Sequence, residues 1–144
     1  MHLPVLPTMR DVLFVALGGS LGALARYGVG LIFPHIPGKH FPIATLLVNL
    51  VGCFLIGMIG QLVQRFAADA AARHEHGSLV VDSLRHLVIV GFLGGLTTFS
   101  AFGWDTTQLM LENRPTVALS NVAANLLIGL FAVWLGIMMV KFWS

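Results

Sequence analysis

Four long apolar runs, separated by short polar or proline-containing stretches, set the plan of this 144-residue chain. A helix needs roughly 20 mostly apolar residues to cross the hydrocarbon of a bilayer. The first run predicts a spanning helix over residues 12–33, closed by Pro34 and Pro37. The second predicts one over 42–63, ending before Gln64-Arg65, and the fourth one over 116–140, from just after Pro115 to Lys141. The third, over 84–111, contains Gly94-Gly95-Leu96-Thr97-Thr98-Phe99-Ser100-Ala101-Phe102. Paired glycines and clustered hydroxyl residues are poor filler for a lipid-spanning helix. Non-helical backbone at membrane depth is tolerated only where protein or a water-filled cavity receives its polar groups. This segment therefore reads as a helix with a break, offering carbonyls, amides and hydroxyls to a small ion. Residues 65–85 hold the dense charge and read as a short helix extension plus a loop. Nothing is left over for a soluble domain, so residues 1–144 are expected to form a single all-α transmembrane domain.

Composition sharpens the choice of solvent. The chain is 57% hydrophobic and 10% charged, against roughly 25% charged residues in soluble domains. A net charge of +2, dispersed along the chain, excludes nucleic acid as a partner. Cys53 is the lone cysteine and cannot form an intrachain disulfide. The first run carries Arg26 and lacks a small-residue cleavage site, so it reads as a retained helix. With four spans, both termini and the middle loop share a face holding Arg10, Arg65, Arg73, Arg85 and Lys141, against Lys39 and Arg114 opposite. This modest bias favours cytoplasmic termini without forcing one orientation.

Polar residues inside the spans carry the candidate chemistry. Gly18 and Gly22, in Gly18-Gly19-Ser20-Leu21-Gly22-Ala23, form a small-residue face for close helix packing, and Gly52, Gly57 and Gly60 thin the second helix. Arg26 reads as a snorkelling anchor or as a positive field at a pore mouth. Asn49 either ties two helices together or offers its two N–H donors to an anion that has shed its water. Phe99 and Phe102 share a helix face. They are either packing residues or present partly positive ring edges to an anion, with Thr97, Thr98 and Ser100 as hydroxyl neighbours. Carbonyls freed at the break suit a hard cation such as Na⁺. Asp105 is expected near the interface, with Thr106 beside it. Asn121 and Asn125, four apart on the fourth helix, form a polar track or a helix–helix tie.

Three segments together resemble the CrcB/Fluc family of fluoride channels over nearly the whole chain. They are Gly18-Gly19-Ser20-Leu21-Gly22-Ala23-Leu24-Ala25-Arg26-Tyr27, Thr45-Leu46-Leu47-Val48-Asn49-Leu50-Val51-Gly52, and Gly91-Phe92-Leu93-Gly94-Gly95-Leu96-Thr97-Thr98-Phe99-Ser100-Ala101-Phe102. The resemblance implies an antiparallel, dual-topology homodimer of four-helix subunits in the cell (inner) membrane, with two fluoride pathways. It implies that Asn49, Phe99 and Phe102 line the path, with Thr98 and Ser100 as polar neighbours. Main-chain carbonyls of Gly94 and Thr97 from both subunits would hold a structural Na⁺ at the dimer interface. Arg26 matches the family's arginine in the first helix, and Asn121 and Asn125 fall at its polar-track positions. Gly129 stands one turn further on, where some members carry a serine. The implied function is passive export of fluoride, which enters as neutral HF and ionises inside.

The nearest rival is a small four-helix proton-coupled multidrug exporter. It needs a titratable group deep in the membrane, and Asp11 and Asp105 are expected near span ends or the break. A membrane enzyme needs a nucleophile with a base, or a metal cluster. The histidines His2, His35, His40, His74, His76 and His86 all fall outside the spans or at their ends, and His74-Glu75-His76 reads as a solvated loop. A purely structural subunit would not need so many intramembrane polar residues.

Overall fold

The computed structural model describes residues 8–34, 41–72 and 79–143, and every element among them is helical. Helix α1 is Met9–Ile32 and α2 is Ile43–Ala72. Helix α3 covers residues 79–96, with a wide-turned π-helical stretch at Arg85–Leu93. Helix α4 is Phe99–Leu111, and α5 covers 115–142 with a second π-helical stretch at Ala124–Ile128. By length and composition, four candidate spans cross a membrane, at Met9–Ile32, Ile43–Ala70, Val81–Leu111 and Pro115–Phe142. Helix α2 continues past Gln64-Arg65 because charged residues end the hydropathy without ending the helix. His2, His35, Pro37, Lys39, His40, Arg73, His74, Glu75 and His76 lie outside the described residues.

Local sequence sets the helix ends. Thr8 and Asp11 form a capping box at the start of α1: the Thr8 hydroxyl accepts from the Asp11 amide, and the Asp11 carboxylate accepts from the Thr8 amide. Helix α4 stops at Asn113, whose φ of 58° is left-handed, a conformation asparagine tolerates better than most residues. Its amide and that of Arg114 donate to the Met110 and Leu109 carbonyls at 3.1 and 2.9 Å. Pro115 then opens α5 at a position where its missing N–H costs nothing. This tight reversal folds α5 back along α4.

The helices pack as two close pairs, α1 on α3 and α2 on α5. Glycines make both pairings possible. A Cβ at Gly18 would strike the Leu87 carbonyl oxygen, and one at Gly22 the Phe92 carbonyl oxygen. Across the other pair, a Cβ at Gly57 would strike the Val133 carbonyl, and one at Gly136 the Phe54 carbonyl. Without hydrophobic drive between helices in lipid, such backbone contact supplies the association. Arg65 adds a tie, donating from Nη1 to the Val140 carbonyl at 3.1 Å. A small core of Val48, Leu93 and Leu96 is completed by Ala25, Val29, Leu55 and Phe92. Most other large apolar side chains face outward, as suits a lipid solvent.

Substituting valine at Gly18 is expected to destabilise the α1–α3 pair by about 1–3 kcal/mol, the usual cost of overpacking. Gly28→Ala, where an added Cβ meets nothing within 4 Å, serves as the neutral control. Thermal unfolding followed by size-exclusion chromatography in detergent reads both. Equal melting temperatures for the two variants would contradict this packing.

Candidate ion pathway

Between α3 and α4 the backbone is extended for two residues: Thr97 has φ −80°, ψ 155° and Thr98 has φ −151°, ψ 117°. In an α-helix each amide would donate to the carbonyl four residues earlier. The Thr98 amide donates instead to Asn49 Oδ1 on α2, at 2.9 Å. That leaves the Gly94 carbonyl without its helical donor. Asn49 Nδ2 donates back to the Thr98 carbonyl at 3.3 Å, so side chain and backbone form a two-bond pair. The Thr98 hydroxyl then caps α4 by accepting from the Ala101 amide at 3.1 Å. That amide is the one a continuous helix would direct to the Thr97 carbonyl, and the Phe99 and Ser100 amides that open α4 leave the Gly95 and Leu96 carbonyls in the same way, so the main-chain oxygens of residues 94–97 stand outside the helical ladder.

These groups border one cavity of about 360 Å³, walled by Asn49, Asn125, Gly94, Thr97, Thr98 and the rings of Phe99 and Phe102, together with apolar residues and Cys53. The two rings lie 5.5 Å apart, centroid to centroid, tilted by 52°. Phe99 is 79% exposed. Ser100, also exposed, shares a 3.1 Å hydrogen bond with the Thr98 hydroxyl. Close approach keeps the step tight against α2: a Cβ at Gly52 would strike Thr97 Cγ2.

Both polar ends of the asparagines are engaged. Asn49 Nδ2 also donates to Asn125 Oδ1 at 3.0 Å. Asn125 Nδ2 donates to the Asn121 carbonyl and to Asn121 Oδ1, both at 3.0 Å. Asn121 is 0% exposed and stands behind Asn125 rather than on the cavity wall. The N–H groups of Asn49 therefore reach an entering anion only by exchange with the Thr98 carbonyl or with Asn125.

A second hollow of about 410 Å³ opens on the other side of Thr98, lined by Arg26, Tyr27, Thr45, Val48, Ala101 and Asp105 among others. Arg26 is half-buried there. Asp105 is 6% exposed and accepts a 2.8 Å hydrogen bond from the Thr45 hydroxyl. Burial of a carboxylate requires such partners, and α4 turns this position inward toward α2. Thr45 entered the sequence reading only as part of a matching segment and Thr106 only as a neighbour of Asp105, neither with a role of its own. The signal was present: Thr45 lies one helical turn before Asn49, and Thr106 one turn after Phe102.

Known proteins place this geometry in context. Residues 13–137 match the family model described as CrcB-like protein, Camphor Resistance (CrcB). A protein named fluoride-specific ion channel FluC from Shewanella loihica is 41% identical over 128 residues, 89% of this chain and 94% of its own. One of the same name from Citrifermentans bemidjiense is 37% identical over 133 residues, covering 92% and 98% of the two chains. Another, from Shewanella sp. strain ANA-3, is 42% identical over 128 residues, covering 89% and 94%.

Thr45→Val is expected to lower stability by about 1–3 kcal/mol, because it deprives the buried Asp105 carboxylate of a donor. Thr107→Val is the comparison, since that exposed hydroxyl donates only to Gly103 of its own helix. Melting in detergent should separate them clearly. A Thr45 variant as stable as the Thr107 variant would remove Asp105's dependence on Thr45.

Proposed function

The chain belongs to the CrcB-like family, and from that membership we infer that the pathway described above carries fluoride. It is a fluoride-selective ion channel of the cell membrane, a multi-pass transporter protein and not an enzyme. Flow is passive and outward, lowering cytoplasmic fluoride, and residues 1–144 work as a single transmembrane channel domain. The reading draws most on one observation: Asn49, Thr98, Phe99, Phe102 and Asn125 border the same cavity at membrane depth.

Fluoride is small, strongly hydrated and a strong hydrogen-bond acceptor. Its dehydration must be offset by several short contacts, since burying an unpaired charge is very costly. Hydrogen bonds to an ion are about twice as strong as neutral ones. Hydroxyls of Thr98 and Ser100, N–H groups released by Asn49 and Asn125, and the ring edges of Phe99 and Phe102 can supply them in sequence. A ring edge is partly positive, so it attracts the anion without trapping it as a fixed charge would. Asn121 is the buried end of the same polar track. Arg26, beside the second hollow, adds a positive field near the entrance.

The working unit is an antiparallel, dual-topology homodimer. The exposed Phe99 ring and the cavity mouth beside Gly94 and Thr97 give a second copy something to cover. Of the freed carbonyls, those of Gly94 and Thr97 belong to residues bordering the cavity and fit a cation site, because unwound backbone oxygens in membrane helices suit Na⁺. Paired with the same oxygens of the second copy, they would hold a structural Na⁺. When bound, the ion supplies positive charge that neutralises converging carbonyl dipoles and ties the two chains.

Replacing Phe99 or Phe102 by isoleucine removes a partly positive ring edge from the path, so fluoride release from proteoliposomes should slow markedly with the dimer intact. Asn49→Asp places negative charge in the path and should nearly abolish release. A fluoride electrode reads all three variants. Full rates in folded Phe variants would rule out ring-edge conduction, and full rates in Asn49→Asp would put that residue outside the path.

A further inference from the structure

The polar side chains behind the cavity form a relay with a single direction. Thr98 N–H donates to Asn49, Asn49 to Asn125, Asn125 to Asn121, and Asn121 Nδ2 to Thr106 Oγ1 at 2.9 Å. Thr106 closes it by donating to the Phe102 carbonyl at 2.7 Å. Every asparagine accepts on its oxygen from one neighbour and donates from its nitrogen to the next. Both ends lie on the third span, at Thr98 and Phe102, and so bracket the segment that carries the two rings.

Direction is what makes the relay informative. An asparagine amide has an acceptor end and a donor end. Reversing Asn49 or Asn125 would set N–H against N–H on one side and oxygen against oxygen on the other; reversing Asn121 would set its N–H groups against those of Asn125 and draw the Thr106 hydroxyl away from the Phe102 carbonyl. All three amides must therefore agree. Asn49 and Asn125 face the cavity, where a passing ion competes for their donors. Asn121 is fully buried and does not line that cavity. Its far partner, Thr106 on α4, already donates its hydroxyl proton to the Phe102 carbonyl and so meets Asn121 as an acceptor.

We propose that Asn121 is a positioning residue for the ion pathway: through the relay it sets the amide direction of Asn125 and Asn49, and thereby the hold on the Thr98 backbone. This rests on the channel reading for its effect on fluoride, but its effect on Thr98 does not. Asn121 donates to Thr106 and accepts from Asn125; Thr98 is held by Asn49.

The test measures amide hydrogen exchange at Thr98, resolved by residue, in the full-length protein in detergent, alongside fluoride release from liposomes. Asn121→Leu keeps the number and branching of the side-chain heavy atoms and removes both polar ends. Thr106→Val cuts the same relay one bond further on and covers the case in which Asn121→Leu fails to fold. Each variant should speed Thr98 exchange by about tenfold, the scale of one intramolecular hydrogen bond, and slow fluoride release by a similar factor. Unchanged Thr98 exchange in folded variants would overturn the proposal, whether or not fluoride release falls. Faster exchange with undiminished release would overturn the link to conduction. A wild-type protein that releases no fluoride would refute the channel reading instead, while the exchange measurement would still decide the relay.

Discussion

Backbone that turns extended inside a bilayer must find partners for its amides and carbonyls, because each one left alone costs several kcal/mol. At Thr98 the partner is the Asn49 side chain, which supplies both an acceptor and a donor. That pair allows the third span to leave the helix for two residues while still packed between its neighbours. It also decides which groups are spent and which remain. The Thr98 amide and carbonyl are satisfied within the chain, and the Thr98 hydroxyl caps the helix that follows. The carbonyls of Gly94 and Thr97 are displaced from the helical ladder. Polar chemistry at membrane depth is thus a by-product of solving a backbone problem with one side chain.

The rest of the fold serves to bring Asn49 to that position. Glycine contacts draw α1 onto α3 and α2 onto α5 closely enough for carbonyls to set the spacing. The Asn113 reversal lays α5 beside α4, so Asn121 meets Thr106 and Asn125 meets Asn49. The asparagine donors facing the cavity are already bonded. An anion that enters therefore exchanges one acceptor for another rather than filling vacant donors. Exchange of this kind favours an ion whose size and basicity resemble those of the oxygen it replaces, which suits fluoride better than the larger, weaker acceptor chloride. Steps that trade one bond for another also leave no deep well, as a passive path requires.

Much of this was legible in the chain. The four spans follow from hydropathy, and Gly18 and Gly22 announced a packing face before any partner was visible. Asn49, Asn125, Phe99 and Phe102 could be singled out because polar and paired aromatic residues stand out against a lipid-facing background. Other features were not legible. The burial of Asp105 depends on which way α4 turns after the extended step, and no local pattern specifies that. The π-helical stretches at Arg85–Leu93 and Ala124–Ile128 have no signature in the local hydropathy pattern. The direction of each asparagine amide is a property of the whole network, so no single position could reveal that Asn49's donors are already engaged.

The most direct measurement is ion release from liposomes reconstituted with the wild-type protein in Na⁺, with valinomycin balancing charge and internal fluoride or chloride in parallel preparations. Rapid loss of fluoride with chloride retained is the predicted result. Retention of fluoride by a folded, reconstituted protein, or equal loss of both halides, would contradict a fluoride-selective channel.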